Sequence, residues 1–328
     1  MEPSAYGAAW LSLTKSKRLN NNRPPLAPAL RSLLAGVSIL PRRLSLDTPG
    51  VHATVPMLRG VWGAALHDLD AEAYTQVFEG VGTPVRRSPG YVLRPASRDP
   101  ADAPAVEWML IGAAIVHDQL LWRAWDVASG MGLGPERQRF RFRAVRTVAA
   151  SGDFAKDVSS NPAVGTAGAW TLDTAAWPLD GDPAAIPCRL WFSAPLRILR
   201  SHRLITTPTL IDIVEAAFRR IECFVAPVAA DAVRPSALEA AGRAAATPWS
   251  GRRLDLVRWS ANQQAEVELG GVAGHLDLPE GPGDLWPLLA ALQWLHVGKG
   301  STLGLGQLRI SPAGTAGEVP QQRGKDDR

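Results

Sequence analysis

The stretch LQWLHVGKGSTLGLGQLRI, at residues 292–310, has the pattern that decides the fold. It begins with apolar residues typical of a helix, continues through closely spaced glycines around Lys299, and ends in an alternating, strand-like segment. Closely spaced glycines let backbone N–H groups approach a phosphate that side chains would otherwise keep away. The stretch therefore predicts a helix, a phosphate-binding loop and a strand, in that order.

A second, weaker copy of this pattern lies in the N-terminal half. Residues 106–128 are predicted to form an apolar helix, Gly130, Gly132 and Gly134 lie in the turn, and residues 139–145 form a strand that carries arginines. Two copies of one supersecondary unit indicate a duplicated fold.

The glycine-rich loop differs from the two common nucleotide-binding loops. A P-loop needs a glycine where this chain has Gln293, and it follows a strand and opens a helix, whereas this loop does the reverse. The third glycine of a Rossmann fingerprint would fall at Leu303. Nucleotide hydrolysis is therefore poorly supported.

The composition indicates a globular protein with an anionic partner. The chain has 328 residues, of which 46% are hydrophobic, so it is long enough for two domains and too apolar for general disorder. Its formal net charge is +4, and only five of its 35 basic residues are lysines. Arginine binds phosphate through the planar geometry of its guanidinium group as well as through its charge. A GC-rich genome also favours arginine codons, which is an alternative reason for the bias.

Cysteine content and hydropathy exclude several other classes. Cys188 and Cys223 are too few for a four-cysteine metal site or a disulfide framework. No apolar run reaches the roughly 18 residues of a membrane span, and the N-terminus does not have the pattern of a secretion signal. We expect a cytoplasmic protein that binds no metal and no cofactor.

The order of elements predicts the fold class. Each half contains a strand, a helix, two hairpin strands, a helix and a strand, less clearly in the first half. This is the β-α-β-β-α-β order, so we expect an α+β protein with tandem ferredoxin-like domains, the framework of RNA-recognition modules. The predicted boundaries are a basic mobile arm at 1–28, an N-terminal domain at 29–151, a linker or insertion at 152–187, a C-terminal domain with the glycine-rich loop at 188–311, and a polar tail at 312–328.

Four arginines alternate in the strand that follows the first glycine turn. Arg137, Arg139, Arg141 and Arg143 are separated by single residues, two of them phenylalanines. Side chains alternate across a strand, so four guanidinium groups are predicted on one face. Like charges on one face repel each other, which favours an anionic partner over a merely protective edge.

Several segments give the chain a resemblance to a known family. These segments are LWFSAPLR at 190–197, VRWS at 257–260, GGVAG at 270–274, HVGK at 296–299, GLG at 304–306, LRGVWG at 58–63, Tyr74, Phe78, Glu79 and GMGLG at 130–134. Over roughly residues 30–311 the chain resembles CRISPR repeat-cleaving endoribonucleases of the RAMP superfamily. A cysteine cluster that many relatives carry before Tyr74 is absent here, which puts a structural metal in doubt.

The resemblance implies metal-independent processing of precursor CRISPR RNA. The ribose 2′-hydroxyl attacks the adjacent phosphate, which leaves a 2′,3′-cyclic phosphate and a 5′-hydroxyl. Such chemistry needs a general base, a general acid and cations around the phosphate, and histidine suits both proton transfers near neutral pH. The resemblance places the catalytic groups near the first helix of the N-terminal half, where His67 and His52 lie. His296 adjoins the glycine-rich loop and is the third catalytic candidate.

The expected RNA contacts lie on the loop and on basic strips. They are Lys299, Gly298, Gly300, Gly304, Gly306, Arg59, Arg139, Arg141, Arg143 and Arg258. The expected partners are CRISPR repeat RNA and other Cas effector subunits. Two alternatives remain: a non-catalytic RAMP subunit that only holds guide RNA, and a general single-stranded RNA-binding protein, which would not discriminate between sequences.

Overall fold

The computed structural model describes residues 25–48, 53–80, 87–95, 105–148, 154–158, 169–174, 182–260 and 265–313. Within these residues, no helix is long and apolar enough to cross a membrane.

The N-terminal domain contains the following elements in chain order: α1 (Leu26–Ala35), β1 (Ser38–Asp47), α2 (Val55–Leu69), α3 (Ala71–Tyr74), a π-helical turn (Thr75–Glu79), β2 (Tyr91–Pro95), β3 (Ala105–Ile111), α4 (Asp118–Met131), β4 (Arg141–Val148), β5 (Phe154–Val158) and β6 (Trp170–Thr171). The sheet order is β2-β3-β1-β4-β5, with β6 also paired to β1. All pairings are antiparallel. The first four strands thus have the ferredoxin-like order, with α2 and α4 as the two crossover helices.

The C-terminal domain repeats this plan: β7 (Cys188–Leu196), β8 (Leu199–Arg200), β9 (Arg203–Leu204), α5 (Leu210–Ile221), α6 (Pro227–Arg243), β10 (Ser250–Leu254), β11 (Val257–Ser260), β12 (Ala265–Glu268), β13 (Gly271–Leu278), α7 (Trp286–Leu295) and β14 (Leu308–Pro312). Its sheet has the order β10-β13-β7-β14, equivalent to that of the first domain. The expected α+β fold with tandem ferredoxin-like domains is confirmed.

Two buried clusters form the core. One lies between the N-terminal sheet and helices α2 and α4, where the rings of Trp62 and Trp125 stack with centroids 4.8 Å apart. The other joins the opposite face of that sheet, represented by Ile39 and Met109, to α1 and the apolar interior of the C-terminal domain. The two domains therefore share a continuous hydrophobic interface.

The predicted helix at 106–128 is wrong in its first part. Residues Ala105–Ile111 form β3, and the helix α4 begins only at Asp118. The side chains of β3 alternate between the two clusters, with Trp108 in one and Met109 in the other. Both faces of β3 are buried and Glu107 is its one charged residue, so its sequence looks like an apolar helix.

The sequence also predicts a hairpin of residues 254–260 with 267–278, and the structure pairs these segments in one register, with Leu254 opposite Gly271 and Val257 opposite Glu268. The edge strand β10 pairs with β13, whereas β11 and β12 form a separate two-stranded ribbon at the end of that hairpin. Gly271 starts β13, where an added Cβ would lie only 2.8 Å from the carbonyl oxygen of Leu196. Gly270 and Gly271 therefore lie where the ribbon ends and the sheet begins, and β13 does not extend into the ribbon.

The domain boundaries differ from the predicted ones at two places. Helix α1 begins at Leu26, inside the predicted arm, and its buried leucines pack in the cluster of the C-terminal domain. The predicted linker at 152–187 contributes β5 and β6 to the N-terminal sheet. The remainder of the arm and the polar tail from residue 314 lie outside the described residues.

Candidate nucleic-acid interface

The glycine-rich loop, residues 298–306, is held against β7 by backbone hydrogen bonds. Lys299 N–H donates to Arg197 O and Gly306 N–H donates to Pro195 O, each at 2.9 Å. The loop closes on itself because Val297 N–H donates to Gly306 O, also at 2.9 Å. The backbone path of the loop is therefore fixed by these contacts with β7 and within the loop.

The four loop glycines that were expected to line an RNA path all have left-handed backbone angles. Their φ values are 80° at Gly298, 88° at Gly300, 81° at Gly304 and 67° at Gly306. Such angles favour glycine because a Cβ is strained there. The glycines are thus required for the turn itself, and they leave the loop free of side chains at these four positions.

The N–H groups of the loop divide into two sets. Those of Gly304 and Gly306 are used inside the loop and against β7. A 3₁₀ turn, Ser301–Leu303, begins at Gly300, and no backbone hydrogen bond is described for the N–H groups of Ser301 and Thr302. The first N–H groups of a helical turn are unsatisfied donors that suit an anion.

The loop contacts the N-terminal domain at the beginning of α2 and at β2. A Cβ on Gly304 would lie 3.3 Å from the carbonyl oxygen of Leu93 and 3.6 Å from Cγ1 of Val55. Helix α2 starts there because Thr54 accepts a hydrogen bond from Met57 N–H at 3.4 Å and a proline stands in the first turn. The positive end of the α2 dipole therefore lies beside the glycine-rich loop.

Arg59 stands on the second turn of α2 without a carboxylate partner among the described residues. Its guanidinium lies 5.4 Å from the ring centroid of Phe78. Phe78 fits under it because Gly63 has no side chain; a Cβ there would be 2.8 Å from Cε1 of the ring. An unpaired guanidinium stacked on an aromatic ring is well placed to bind a phosphate.

The buried phenol of Tyr91 connects Arg59 to the loop. The hydroxyl is in polar contact with Arg59 and Thr302, although neither contact has the geometry of a full hydrogen bond. Burial raises the pKa of Tyr91 to about 12, and the neighbouring Arg59 opposes this rise. Tyr91 thus contacts one polar group from each domain.

Two further arginines, Arg220 and Arg94, link the two domains near Tyr91. Arg220 of α5 donates to Ser88 Oγ and, at 3.1 Å, to Pro89 O. Burial lowers the pKa of Arg220 to about 10. Arg94 of β2 pairs with Glu107 at 2.6 Å and donates to Gln293 O on α7 at 2.5 Å. These buried contacts set the position of α7, and hence of the loop, relative to α2.

The structure separates the three histidine candidates. His67 is exposed in the last turn of α2, 3.9 Å from Asp68 and with its ring centroid 5.3 Å from that of Tyr74. It lies twelve residues after Val55, or about 18 Å along the helix at ~1.5 Å per residue, so the two ends of α2 differ in their distance from the loop. His52 lies outside the described residues, two positions before Thr54 in the sequence.

His296 is fully buried at the end of α7. Its Nδ1 is hydrogen-bonded to Leu305 O at 2.9 Å, and its Nε2 has no described partner. Burial, reinforced by the charge of Arg94, holds the pKa of His296 well below its usual value. A buried neutral ring that bonds the loop backbone is suited to holding the loop in place.

The arginine strip is shorter than predicted. Strand β4 begins at Arg141, whereas Arg137 lies in the preceding turn with a φ of 53°. Arg139 and Arg141 are exposed while Phe140 is buried, so the predicted alternation holds at these positions. Neither arginine has a carboxylate partner among the described residues. The side chains of Arg143 and Arg258 lie outside the described part of the structure.

The sequence did not single out Tyr91, Thr302 or Arg220. Tyr91 stands in a short apolar strand and Arg220 in an amphipathic helix, as many core and surface residues do. Their polar contacts join residues far apart in sequence, so no local pattern could have identified them. Among the described residues, no three of the types that ligate metals lie together.

Known proteins resemble this chain in two ways, one in sequence over the C-terminal domain and one in fold over both domains. Residues 190–308, in the C-terminal domain, match the family described as CRISPR-associated endoribonuclease Cas6, the family that the sequence resembles. No curated protein sequence matches the chain.

Solved Cas6 structures share the fold of both domains. One, a product complex, is 21% identical with a TM-score of 0.51, over 84% of this chain and 99% of its own. The product complex of a Thermus thermophilus Cas6 is 15% identical with a TM-score of 0.52, over 84% of this chain and 100% of its own. A chain in a partial Cas6-RT-Cas1–Cas2 complex is 15% identical with a TM-score of 0.50, over 86% of this chain and 47% of its own.

Proposed function

We propose that this chain, whose C-terminal domain has the sequence pattern of the Cas6 family, is an endoribonuclease that binds CRISPR repeat RNA and cleaves precursor crRNA. The observation that carries the proposal is the meeting of the glycine-rich loop with the start of α2, where Arg59 and Lys299 have no carboxylate partner among the described residues. The loop that carries Lys299 and the helix that carries Arg59 thus meet although they belong to different domains. The proposal places the protein in the cytoplasm with its RNA.

The cations at this junction differ from the buried arginines of the N-terminal domain, which have carboxylate partners. Arg42, Arg43 and Arg94 are buried and paired with Asp118 or Glu107, so they stabilise the fold. Lys299, by contrast, is exposed on the loop. A phosphate at the loop would therefore gain charge compensation without breaking an existing ion pair.

The chemistry that we propose is attack of the ribose 2′-hydroxyl on the adjacent phosphate, without a metal ion. A base takes the proton of the 2′-hydroxyl, an acid protonates the departing 5′-oxygen, and the products carry a 2′,3′-cyclic phosphate and a 5′-hydroxyl. Arg59, Lys299 and the N–H groups of Ser301 and Thr302 would stabilise the negative charge that develops on the phosphate oxygens. The Gly298, Gly300, Gly304 and Gly306 backbone would shape the path, and Arg139, Arg141, Arg143 and Arg258 would hold more distant phosphates.

We infer that His52 is the foremost proton-transfer candidate of the three histidines. It precedes by two residues the cap of α2, the helix end that contacts the glycine-rich loop. His67 belongs to the opposite end of the same helix. His296 is buried and bonded to the loop, which supports a positioning role under the reaction site.

The second candidate function is a subunit that holds guide RNA without cutting it. The same unpaired cations and loop would serve it, and the structural likeness to a chain of a Cas6-RT-Cas1–Cas2 complex extends over 86% of this chain. In that function, binding of repeat RNA would depend on Lys299 and Arg59, while no histidine would affect the fate of the RNA.

A single-turnover assay separates the two functions. The full chain is mixed in excess with end-labelled RNA that carries the repeat of the CRISPR array nearest its gene, and binding and cutting are followed on the same samples. One cut within or beside the repeat hairpin supports the endoribonuclease. Tight binding with intact RNA supports the guide-holding subunit, and neither binding nor cutting overturns both.

A further inference from the structure

The outward face of the C-terminal sheet carries an aromatic pair in its centre. Trp191 of β7 and His275 of β13 are directly opposite in the antiparallel register. Their rings stack with centroids 5.6 Å apart and an angle of 27° between planes. The neighbouring Leu190 and Phe192 are buried on the other face, together with α5 and α7. Trp191 and His275 are half-buried and belong to the face that these helices leave open.

Arginines surround the aromatic pair on the same face. Arg309 of β14 is the cross-strand neighbour of Trp191, and Arg189 stands two residues before it on β7. Arg189 is neutralised by Asp277 at 2.7 Å. Arg252 of the edge strand β10 is exposed, and no carboxylate of the described residues pairs with it. We call Arg189, Trp191, Arg252, His275 and Arg309 the exposed sheet face.

The neighbouring domain compensates the charge of this face only in part. The carboxylate that acts on Arg309 is Glu107, which Arg43 and Arg94 already bind. Burial, with the charge of Arg189, lowers the pKa of His275, so this ring is neutral near pH 7. The face therefore combines neutral stacked rings with the guanidinium groups of Arg252 and Arg309, which lack full compensation.

This combination suits one class of ligand. Aromatic rings stack on nucleobases whatever their sequence, and guanidinium groups bind the phosphates between them. An apolar peptide would gain little from the arginines, and a folded duplex cannot stack its bases on a flat sheet. We propose that the exposed sheet face binds single-stranded RNA that flanks the segment held by the glycine-rich loop, which rests on the proposed function.

The exposed sheet face is separate from the loop. Trp191 stands six residues before Arg197, whose carbonyl oxygen binds Lys299 N–H. Six strand residues span about 20 Å, so the two places bind different nucleotides. A ring pair that serves only to join β7 and β13 would contribute to stability and would not contact RNA.

The test measures binding of fluorescein-labelled oligouridine of ten nucleotides to the full chain. We expect Trp191→Ala to weaken binding about fivefold to a hundredfold, the range for loss of one stacked base, and Trp191→Phe to retain most of the affinity. The matched control is Trp122→Ala, a half-buried tryptophan on α4 of the other domain, which should leave the affinity unchanged. Equal affinity of Trp191→Ala and wild type would overturn the proposal.

A second measurement does not depend on folding of a variant. Oligouridine with 5-bromouridine is cross-linked by ultraviolet light to the wild-type chain, and the modified peptides are identified by mass spectrometry. Cross-links at Trp191 or His275 support the exposed sheet face, and their absence while other peptides are modified contradicts it.

Cleavage distinguishes failure of this inference from failure of the proposed function. A hairpin RNA without single-stranded flanks should be cut equally by wild type and Trp191→Ala. Slower cutting of the flankless hairpin by Trp191→Ala would assign this residue to the cleavage site and overturn the separate face. If wild type cuts no RNA, the proposed enzyme fails, while the oligouridine affinities still decide whether the face binds single strands.

Discussion

Gly306 lies so close to Val297 that a methyl group on Gly306 would overlap the carbonyl oxygen of Val297. The same two residues share a backbone hydrogen bond, from Val297 N–H to Gly306 O at 2.9 Å. The end of α7 and the end of the glycine-rich loop are thus locked to each other by backbone alone. The loop geometry depends on a missing side chain and on a φ of 67°.

Replacement of Gly306 by alanine should therefore disrupt the loop. A left-handed residue with a Cβ is strained by about 1–2 kcal/mol, and the overlap with backbone adds to it, so we expect Gly306→Ala to lower the free energy of unfolding by at least about 3 kcal/mol. Urea denaturation measures this change. Gly130→Ala is the matched control, because nothing lies within 4 Å of a Cβ at Gly130 in α4. That variant should be neutral or more stable by about 0.5–1 kcal/mol; equal effects of the two would contradict the account.

The unpaired cations at the domain junction should determine the salt dependence of RNA binding. Each phosphate contact that is lost lowers the slope of log affinity against log salt by about 0.7 for a single strand and about 0.9 for a duplex. We expect Lys299→Ala and Arg59→Ala each to weaken binding and to reduce this slope by about one contact. Arg203→Ala, an exposed arginine of β9, is the control. Equal slopes of log affinity against log salt for Lys299→Ala and wild type would show that Lys299 contacts no phosphate.

The buried His296 makes stability depend on pH. Its folded pKa is well below the unfolded value of about 6.5, so below that pH only the unfolded chain binds the proton. Stability should then fall as the pH decreases from 7 to 5, with up to about 1.4 kcal/mol per pH unit from this residue. His296→Gln should remove that part of the slope in urea denaturation, whereas His202→Asn, at an exposed turn, should not. A wild-type slope preserved in His296→Gln would refute the burial argument.

The two ends of α2 should differ in their importance for cleavage. We expect His52→Ala to slow single-turnover cleavage about a hundredfold with nearly unchanged RNA affinity, as for loss of a general acid or base. From the sequence alone, His67 was the first choice among the histidines, but its position at the other end of α2 from the loop predicts that His67→Ala cuts at close to the wild-type rate. Slower cleavage by His67→Ala than by His52→Ala would place the reaction at the C-terminal end of α2.

The sequence predicted the topology because ferredoxin-like units leave local signals. The glycine-rich loop, the helix before it and the strand after it were all in place at residues 286–312. The strand at Ala105–Ile111 was missed because Trp108 and Met109 are buried on opposite sides, which removes the polar alternation of an ordinary strand.

The site was predictable only in part, for a related reason. Lys299 and the glycines stand in a recognisable local pattern, and Arg59 in a segment that carries the family resemblance. The contacts of Tyr91 with Arg59 and Thr302, and of Arg220 with Ser88, join distant parts of the chain. The burial of His296 likewise could not be predicted from local sequence, because Lys299, only three residues away, is exposed.

Cleavage in the presence of EDTA tests the central claim most directly. The full chain is incubated with RNA that contains the repeat of the nearest CRISPR array, and the termini of the products are identified by phosphatase and kinase treatment and by mass spectrometry. We predict one cut that leaves a 2′,3′-cyclic phosphate and a 5′-hydroxyl. Intact RNA, or products with 5′-phosphate ends formed only when a divalent metal is restored, would contradict the account.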